Sequence, residues 1–277
     1  LPQPVLAGSP RLEVWRTSKR VRYAREGDVL TARADGILLA MAMIPANQAI
    51  LARTEDVYGA LFRAKGSLHW QRLHNYIPAI LGAEDGNERY RLFNAGRQAA
   101  FAAALHPVEA APAACGLGAP ATSPLLVYGL ATAEPGRPIE NPDQVSAYRY
   151  PPRYGSAPPI FARATHGGGA AARLFFLSGT AAILGHESLH PGDVAAQLET
   201  TIANIRKLIE AAAAQGDRVR AEKLRLRVYL KHEADLPEIQ AGLARLLPEI
   251  EPPPILAADI CRPELLVEIE GHAALTR

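Results

Sequence analysis

Between Arg173 and Ile269 the apolar residues change period in an order that restricts the fold more than any other feature of the chain. Arg173 to Leu184 reads as a strand pair or one long bent strand, and Gly185 to Gly192 as a loop. Asp193 then stands where a helix N-cap belongs, because its carboxylate can accept from the free N–H groups of a first turn. Val194, Leu198, Ile202, Ile205 and Ile209 follow at the spacing of one helical face. Leu224, Leu226 and Val228 alternate as a strand does, and Leu236 to Leu247 returns to a helical pattern. Ile255 to Ile260 and Leu265 to Ile269 read as closing strands. Strands, helix, strand, helix and strands predict an α+β unit with its helices on one face of a sheet.

The first half is less regular. Arg11 to Ser18 reads as a strand, and Val29 to Ile44 as a hairpin turned at Asp35-Gly36. Thr54 to Lys65 is predicted as a helix, with Thr54 capping ahead of Glu55 and Asp56. Glu88 to Leu105 is predicted as a second, with Leu92, Gly96, Ala99 and Ala103 at helical spacing. Pro107 to Pro124 is rich in Ala, Pro and Gly and is expected to be loop; Leu125 to Ala131 reads as a strand. Pro135 to Pro159 is the expected seam, and its tyrosines imply that part of it packs. The domains are expected at 1–145 and 146–277.

A length of 277 residues suits one large or two ordinary domains. A net charge of +2 argues against a nucleic-acid partner. Arg16, Lys19, Arg20, Arg22 and Arg25 read better as a solvated strand edge than as a basic stripe. Cys115 and Cys261 lie far apart with no CxxC, which fits a reduced cytoplasm rather than a disulfide scaffold. No apolar run has membrane-spanning length, so no membrane association is expected; Ile37 to Ile44 is closed by Pro45. The sequence opens at Leu1 without a signal-peptide pattern, and the natural N-terminus is expected upstream.

Two motifs invite catalytic readings that their surroundings oppose. His186-Glu187-Ser188-Leu189-His190 spells HExxH, but zinc binding needs both histidines one turn apart on a helix. Gly185 precedes the motif and Pro191-Gly192 follows it, so a loop is predicted and no metal. His166-Gly167-Gly168-Gly169 resembles an esterase oxyanion loop, but no GxSxG elbow accompanies it. Phosphate-cradling patterns are absent as well.

From Leu174 the chain reads LFFLSGTAAILGHESLHPGDVAAQLETTIANIRKLIEAA. The frame of SG, GD, Q and N-I resembles the Rid/YjgF signature. LRVYLKH is similar to that family's central strand and ELLVEIEG to its last strand, so the resemblance covers residues 173–272. Simple Rid proteins deaminate enamines with an arginine that would fall in Glu251-Pro252-Pro253-Pro254, where there is none. HNYIPAI, ERYRLFNAGRQAAF and QVSAYRYPPRYGSAPPIFARA resemble the longer chorismatases instead, with His74 standing where that pattern carries Trp, an expected packing change. The resemblance implies two Rid/YjgF-like (chorismate-mutase-like) sheet-plus-helices halves with a pocket between them. It also implies release of pyruvate from chorismate without a cofactor, by a monomer or homotrimer. The expected product is 3-hydroxybenzoate, with 4-hydroxybenzoate beside it. The alternatives are hydrolysis to a dihydroxycyclohexadiene acid, imine deamination, or ligand binding without catalysis.

In a strand, Leu266, Glu268 and Glu270 share one face, and on the residues alone the two acids read as solvated edge carboxylates. The resemblance selects Glu268 as the acid that protonates the enol ether. It assigns substrate binding to Tyr90 and Arg97, two helical turns apart, and to Tyr150 in preference to Tyr148. Arg163 is a weaker candidate, for the second carboxylate, and Lys231, which follows the strand LRVYL, can point into the site. Cys261 and Ala181 are implied to select the product. Cysteine goes with 3-hydroxybenzoate; alanine rather than glycine goes with hydrolysis.

Overall fold

A computed structural model describes residues 3–8, 13–45 and 49–276. Two sheets organise them. The first places its strands in the order Arg22–Glu26, Val29–Ala34, Ile37–Ile44, Leu125–Thr132, His69–Pro78 and Ala113–Ala119. Its last pair is parallel and the rest antiparallel. Helices α1 (Ile50–Lys65) and α2 (Arg89–Ala103) join this sheet in one apolar core. The second sheet repeats the plan: Arg137–Ile139, Ala164–His166, Leu174–Thr180, Val267–Thr276, Arg225–Leu230 and Ile255–Ala257, with the last pair again parallel. Helices α3 (Val194–Ala214) and α4 (Leu236–Leu246) supply its core. The halves thus share strand order, helix placement and the position of the parallel pair. The architecture is α+β, made of two sheet-plus-helices halves.

The chain passes between sheets between Thr132 and Arg137, ahead of the expected division at residue 145. Val5–Ala7 also joins the second sheet, antiparallel to Ile255–Ala257. No helix among the described residues is long and apolar enough to cross a membrane.

Local chemistry explains most elements. Asp193 Oδ1 accepts from the Ala196 amide at 2.9 Å, and Val194, Leu198, Ile202 and Ile205 bury the expected face. Asp35 and Gly36 both take positive φ, 49° and 74°, as a two-residue turn between twisted strands requires. The charged strand Arg22–Glu26 is an exposed edge, as its charge suggests.

Several expectations are corrected. Thr54 does not cap α1, which starts at Ile50. Its hydroxyl donates back to the Ile50 carbonyl at 2.7 Å, while Glu84 Oε1 accepts from the Ile50 amide at 2.9 Å. The start of α1 is therefore held by a residue distant in sequence. Pro107 to Pro124 is no plain loop: a 3₁₀ turn (Val108–Ala110) leads into Ala113–Ala119. Small residues are needed there because the strand lies against the second half. The Gly118 amide donates to the Asp259 carbonyl at 2.8 Å, and a Cβ on Gly118 would stand 2.7 Å from that of Asp259. Gly185 to Gly192 includes one arm of a short hairpin, Ile183–Leu184 with Glu187–Ser188. The last strand runs on to Thr276. Of Arg11 to Ser18, residues 13–18 form no strand, and Arg11 and Leu12 lie outside the described residues.

Gly96 sets the closeness of the two helices in the first half. A Cβ there would stand 2.5 Å from the Leu51 carbonyl oxygen of α1 and 2.9 Å from Thr54 Cβ. Backbone cannot yield as a flexible side chain can, so Gly96→Ala is expected to destabilise the fold by ~1–3 kcal/mol. A urea midpoint equal to that of the parent would contradict this packing.

Candidate active site

The halves meet along Ala113–Ala119 and Leu174–Thr180. The Ala114 amide donates to Ser178 Oγ at 2.8 Å, and the hydroxyls of Tyr76 and Tyr229, from equivalent central strands, meet at 3.1 Å. Beside this junction lies a cavity of about 330 Å³, large enough for a small ring acid. From the first half, α2 contributes Tyr90 and Arg97, and the adjoining strand contributes Cys115 and Gly116. From the second come Tyr150, Arg163, Ala181, Cys261 and Glu268. Tyr90, Arg97, Tyr150, Arg163, Ala181, Cys261 and Glu268, all singled out in the sequence, line this one cavity. Lys231 does not; its ammonium donates to the Pro263 carbonyl.

Two arginines set the cavity's electrostatics. Arg97 is buried, with its guanidinium over the Tyr58 and Phe101 rings at 5.1 and 5.3 Å. Its Nε and Nη2 have no hydrogen-bond partner. Arg163 is also buried; its Nη2 donates to Tyr150 Oη at 2.7 Å and to the Val145 carbonyl at 2.9 Å, and its Nε is unpartnered. Neither forms an ion pair with a described carboxylate. A buried cation without an ion-pair partner is costly. A carboxylate entering the cavity can take Arg97 bidentately through its Nε and Nη2, whereas Arg163, which already feels the charge of Glu140, has its Nε to offer.

Glu268 is buried on the last strand. Burial first, and then the charge of Glu270, push its carboxyl up to about 8, so it holds its proton at neutral pH. Burial and then the nearness of Cys261 and Glu268 push the Tyr90 hydroxyl well above its ordinary value, which keeps it a donor. Burial and Glu268 push the Cys261 thiol up to about 12, so it is a neutral thiol. Gly179 gives the Glu268 carboxyl its room: a Cβ there would overlap Glu268 Oε1.

Glu270, two residues on, has a different environment. Arg227 Nη1 lies 2.9 Å from its Oε1, and His74 Nε2 lies 3.3 Å from its Oε2. Burial alone would push this carboxyl up. The pull of His74 and Arg227, the His74 hydrogen bond and Arg72 more than reverse that and hold it far below the carboxylate range. Burial pushes His74 down despite Glu270, so the charge that persists at neutral pH is Arg227's and His74 serves as donor. His74 also stacks on Tyr128 at 4.6 Å. His74, expected to matter for packing, thus has an electrostatic role as well.

The cavity mouth holds residues that sequence patterns did not point to. Arg262 lies over the Tyr154 and Tyr150 rings at 4.2 and 5.3 Å and donates to the His186 carbonyl and Ser188 Oγ. Arg153 pairs with Glu187 at 2.6 Å. The HExxH residues thus form a hairpin at the mouth rather than a helix, and no metal-competent cluster exists among the described residues. His166 lies elsewhere, with Nδ1 2.6 Å from Asp217 Oδ1.

This chain is 35% identical over 273 residues to a chorismatase of Streptomyces rapamycinicus, across 95% of this chain and 82% of that protein. It belongs to the chorismatase family. A family model described as chorismatase FkbO/Hyg5-like, N-terminal, matches residues 13–131. A 3-hydroxybenzoate synthase of Streptomyces hygroscopicus is 32% identical, over 95% of this chain and 81% of its own. A crystal structure of a chorismatase superposes with a TM-score of 0.84 at 32% identity, covering 92% of this chain and 80% of that chain.

Proposed function

We propose that the cavity releases pyruvate from chorismate and leaves 3-hydroxybenzoate as the main product, with 4-hydroxybenzoate beside it. One observation carries the reading: a buried, protonated carboxyl shares one cavity with two buried arginines that form no ion pair with a described carboxylate and keep unpartnered N–H groups. Chorismate carries two carboxylates and an acid-labile enol ether, and so matches both features. In this reading residues 1–145 supply Tyr90 and Arg97, and residues 146–277 supply the rest.

Arg97 and Arg163 take the two carboxylates, and Tyr90 and Tyr150 donate to the substrate's oxygens. Glu268 then gives its proton to the enol-ether methylene carbon. The double-bond electrons form the new C–H bond, and positive charge develops on the neighbouring carbon and the ether oxygen. The ring's own hydroxyl attacks that carbon and gives up its proton, closing a cyclic ketal. One ring carbon–oxygen bond and the other oxygen's bond to the ketal carbon then break: pyruvate leaves with the first oxygen as its carbonyl, and the second, reprotonated, stays on the ring. Aromatisation releases a ring proton, which the Glu268 carboxylate takes back. Hydroxybenzoate and pyruvate together hold all the atoms of chorismate, so no water is consumed. The diol product requires one water. No step calls for a redox cofactor.

Incubation with chorismate, with chromatographic identification of the ring product and an assay for pyruvate, tests the proposal. Pyruvate with hydroxybenzoate supports it, pyruvate with the diol overturns the product, and unconsumed chorismate overturns the activity. Ala181 favours hydrolysis as the second reading, whereas Cys261 supports the aromatic product. Cys261→Val is accordingly expected to raise the diol share from minor to major. An unchanged product ratio would remove Cys261 from product selection.

A further inference from the structure

We propose that Glu270 is a positioning residue for this reaction: its carboxylate, fixed behind the cavity by Arg227 and His74, is a standing negative charge that adds to burial in keeping Glu268 in its acid form. This rests on the reading of Glu268 as the proton donor. Residues two apart on a strand point to the same side, about 7 Å apart along the chain. In the sheet Glu268 stands opposite Tyr229 and Glu270 opposite Arg227. Both carboxyls are withdrawn from solvent, where one charge acts strongly on the next. They are not equivalent, however. Glu268 lines the cavity, while Glu270 lies behind it with an arginine and a histidine upon it.

The groups facing Glu270 make it the member that ionises. Arg227 and Tyr229 approach from Arg225–Leu230, and His74 and Arg72 from His69–Pro78. Tyr128 faces it from Leu125–Thr132, Cys115 from Ala113–Ala119, and His272, which burial pushes down, from its own strand. Burial keeps both tyrosines and the thiol neutral. Arg72 is divided between Glu270 and Glu13, with which it forms an ion pair. Arg227 is thus Glu270's own permanent counter-ion. Its field helps Glu270 to stay charged, and Glu270's field opposes a second charge on Glu268. Two adjacent carboxyls are thereby driven to opposite protonation states, one of them ready to donate.

Two titrations test this. One follows kcat for pyruvate release from chorismate against pH, in the parent, Glu270→Gln and Glu270→Asp. The other follows the Glu268 carboxyl by 13C NMR in glutamate-labelled protein without substrate, its signal identified by its loss in Glu268→Gln. The parent carboxyl is expected to titrate near 8. In Glu270→Gln the NMR midpoint and the alkaline limb of kcat both move to lower pH by about one unit or more. Glu270→Asp, which keeps the charge, returns both toward the parent. An NMR midpoint unmoved by Glu270→Gln overturns the proposal, whatever happens to turnover. Undiminished turnover in Glu268→Gln overturns the proton-donor reading instead, and with it the catalytic role given to Glu270. If Glu270→Gln does not fold, Arg227→Met combined with Glu270→Met removes the buried pair together, and the same midpoint decides.

Discussion

Glu268→Gln is expected to lower kcat for pyruvate release by ~10²–10⁴-fold, the usual contribution of a positioned acid. The amide has the shape and neutrality of the protonated carboxyl, so folding and chorismate binding should persist. A second readout separates lost chemistry from lost structure. The folded carboxyl titrates near 8, against an ordinary value of 4.5. Below 4.5 both folded and unfolded chains hold the proton. Between 4.5 and 8 only the folded chain holds it, so Glu268's contribution to stability declines as pH rises through that window. Glutamine has no proton to lose. The variant should therefore gain in Tm relative to the parent between pH 6 and pH 9 while remaining nearly inactive at both. Turnover close to that of the parent would place the proton on another group.

Gly179→Ala is expected to cost about 10²-fold in kcat without removing any reacting group. The added methyl would overlap Glu268 Oε1 on one side and stand 3.1 Å from Cys115 Cβ on the other. Gly179 lies at an irregularity in the pairing of Leu174–Thr180 with the strand that carries Glu268, but the regular pairs at Leu177 and Thr180 hold the backbone on either side of it. The carboxyl must swing instead, and a displacement near 1 Å from a reacting atom is worth about that factor. The double variant gives the sharper measurement. If the damage passes through Glu268, adding Gly179→Ala to Glu268→Gln should cost little more activity. A full further loss of 10²-fold would mean that the methyl damages binding rather than the acid.

The elements readable from sequence are those with one wet face. Helix α3 announces itself through Asp193 and an apolar stripe because its other side is solvated. The strand His69–Pro78 leaves no such trace: all of it except His69 is buried, so no alternation survives. Ala113–Ala119 has the composition of a loop because its small residues permit the other half to approach. The start of α1 depends on Glu84, which no local window contains. In the site, family resemblance supplied the residue types, and the chain alone could not rank Glu268 against Glu270. They occupy the same strand face among the same apolar neighbours. What separates them is Arg227 across one strand pair and His74 from the other half, contacts that exist only once both sheets have met. Arg153 and Arg262 at the mouth had no sequence signal, since each belongs to a cluster assembled from three separate segments.

The pairing of Val5–Ala7 with Ile255–Ala257 has a consequence for how the polypeptide is made. Val5–Ala7 leaves the ribosome well before its partner Ile255–Ala257, so this ladder closes only after that later segment has emerged. Such long-range closure is entropically unfavourable until the rest of the second sheet has formed, which makes it a late event. Until then Ile255–Ala257 is an open edge, the kind of surface through which nascent chains associate with one another. The short strand Val5–Ala7 therefore acts as an edge guard for the second sheet.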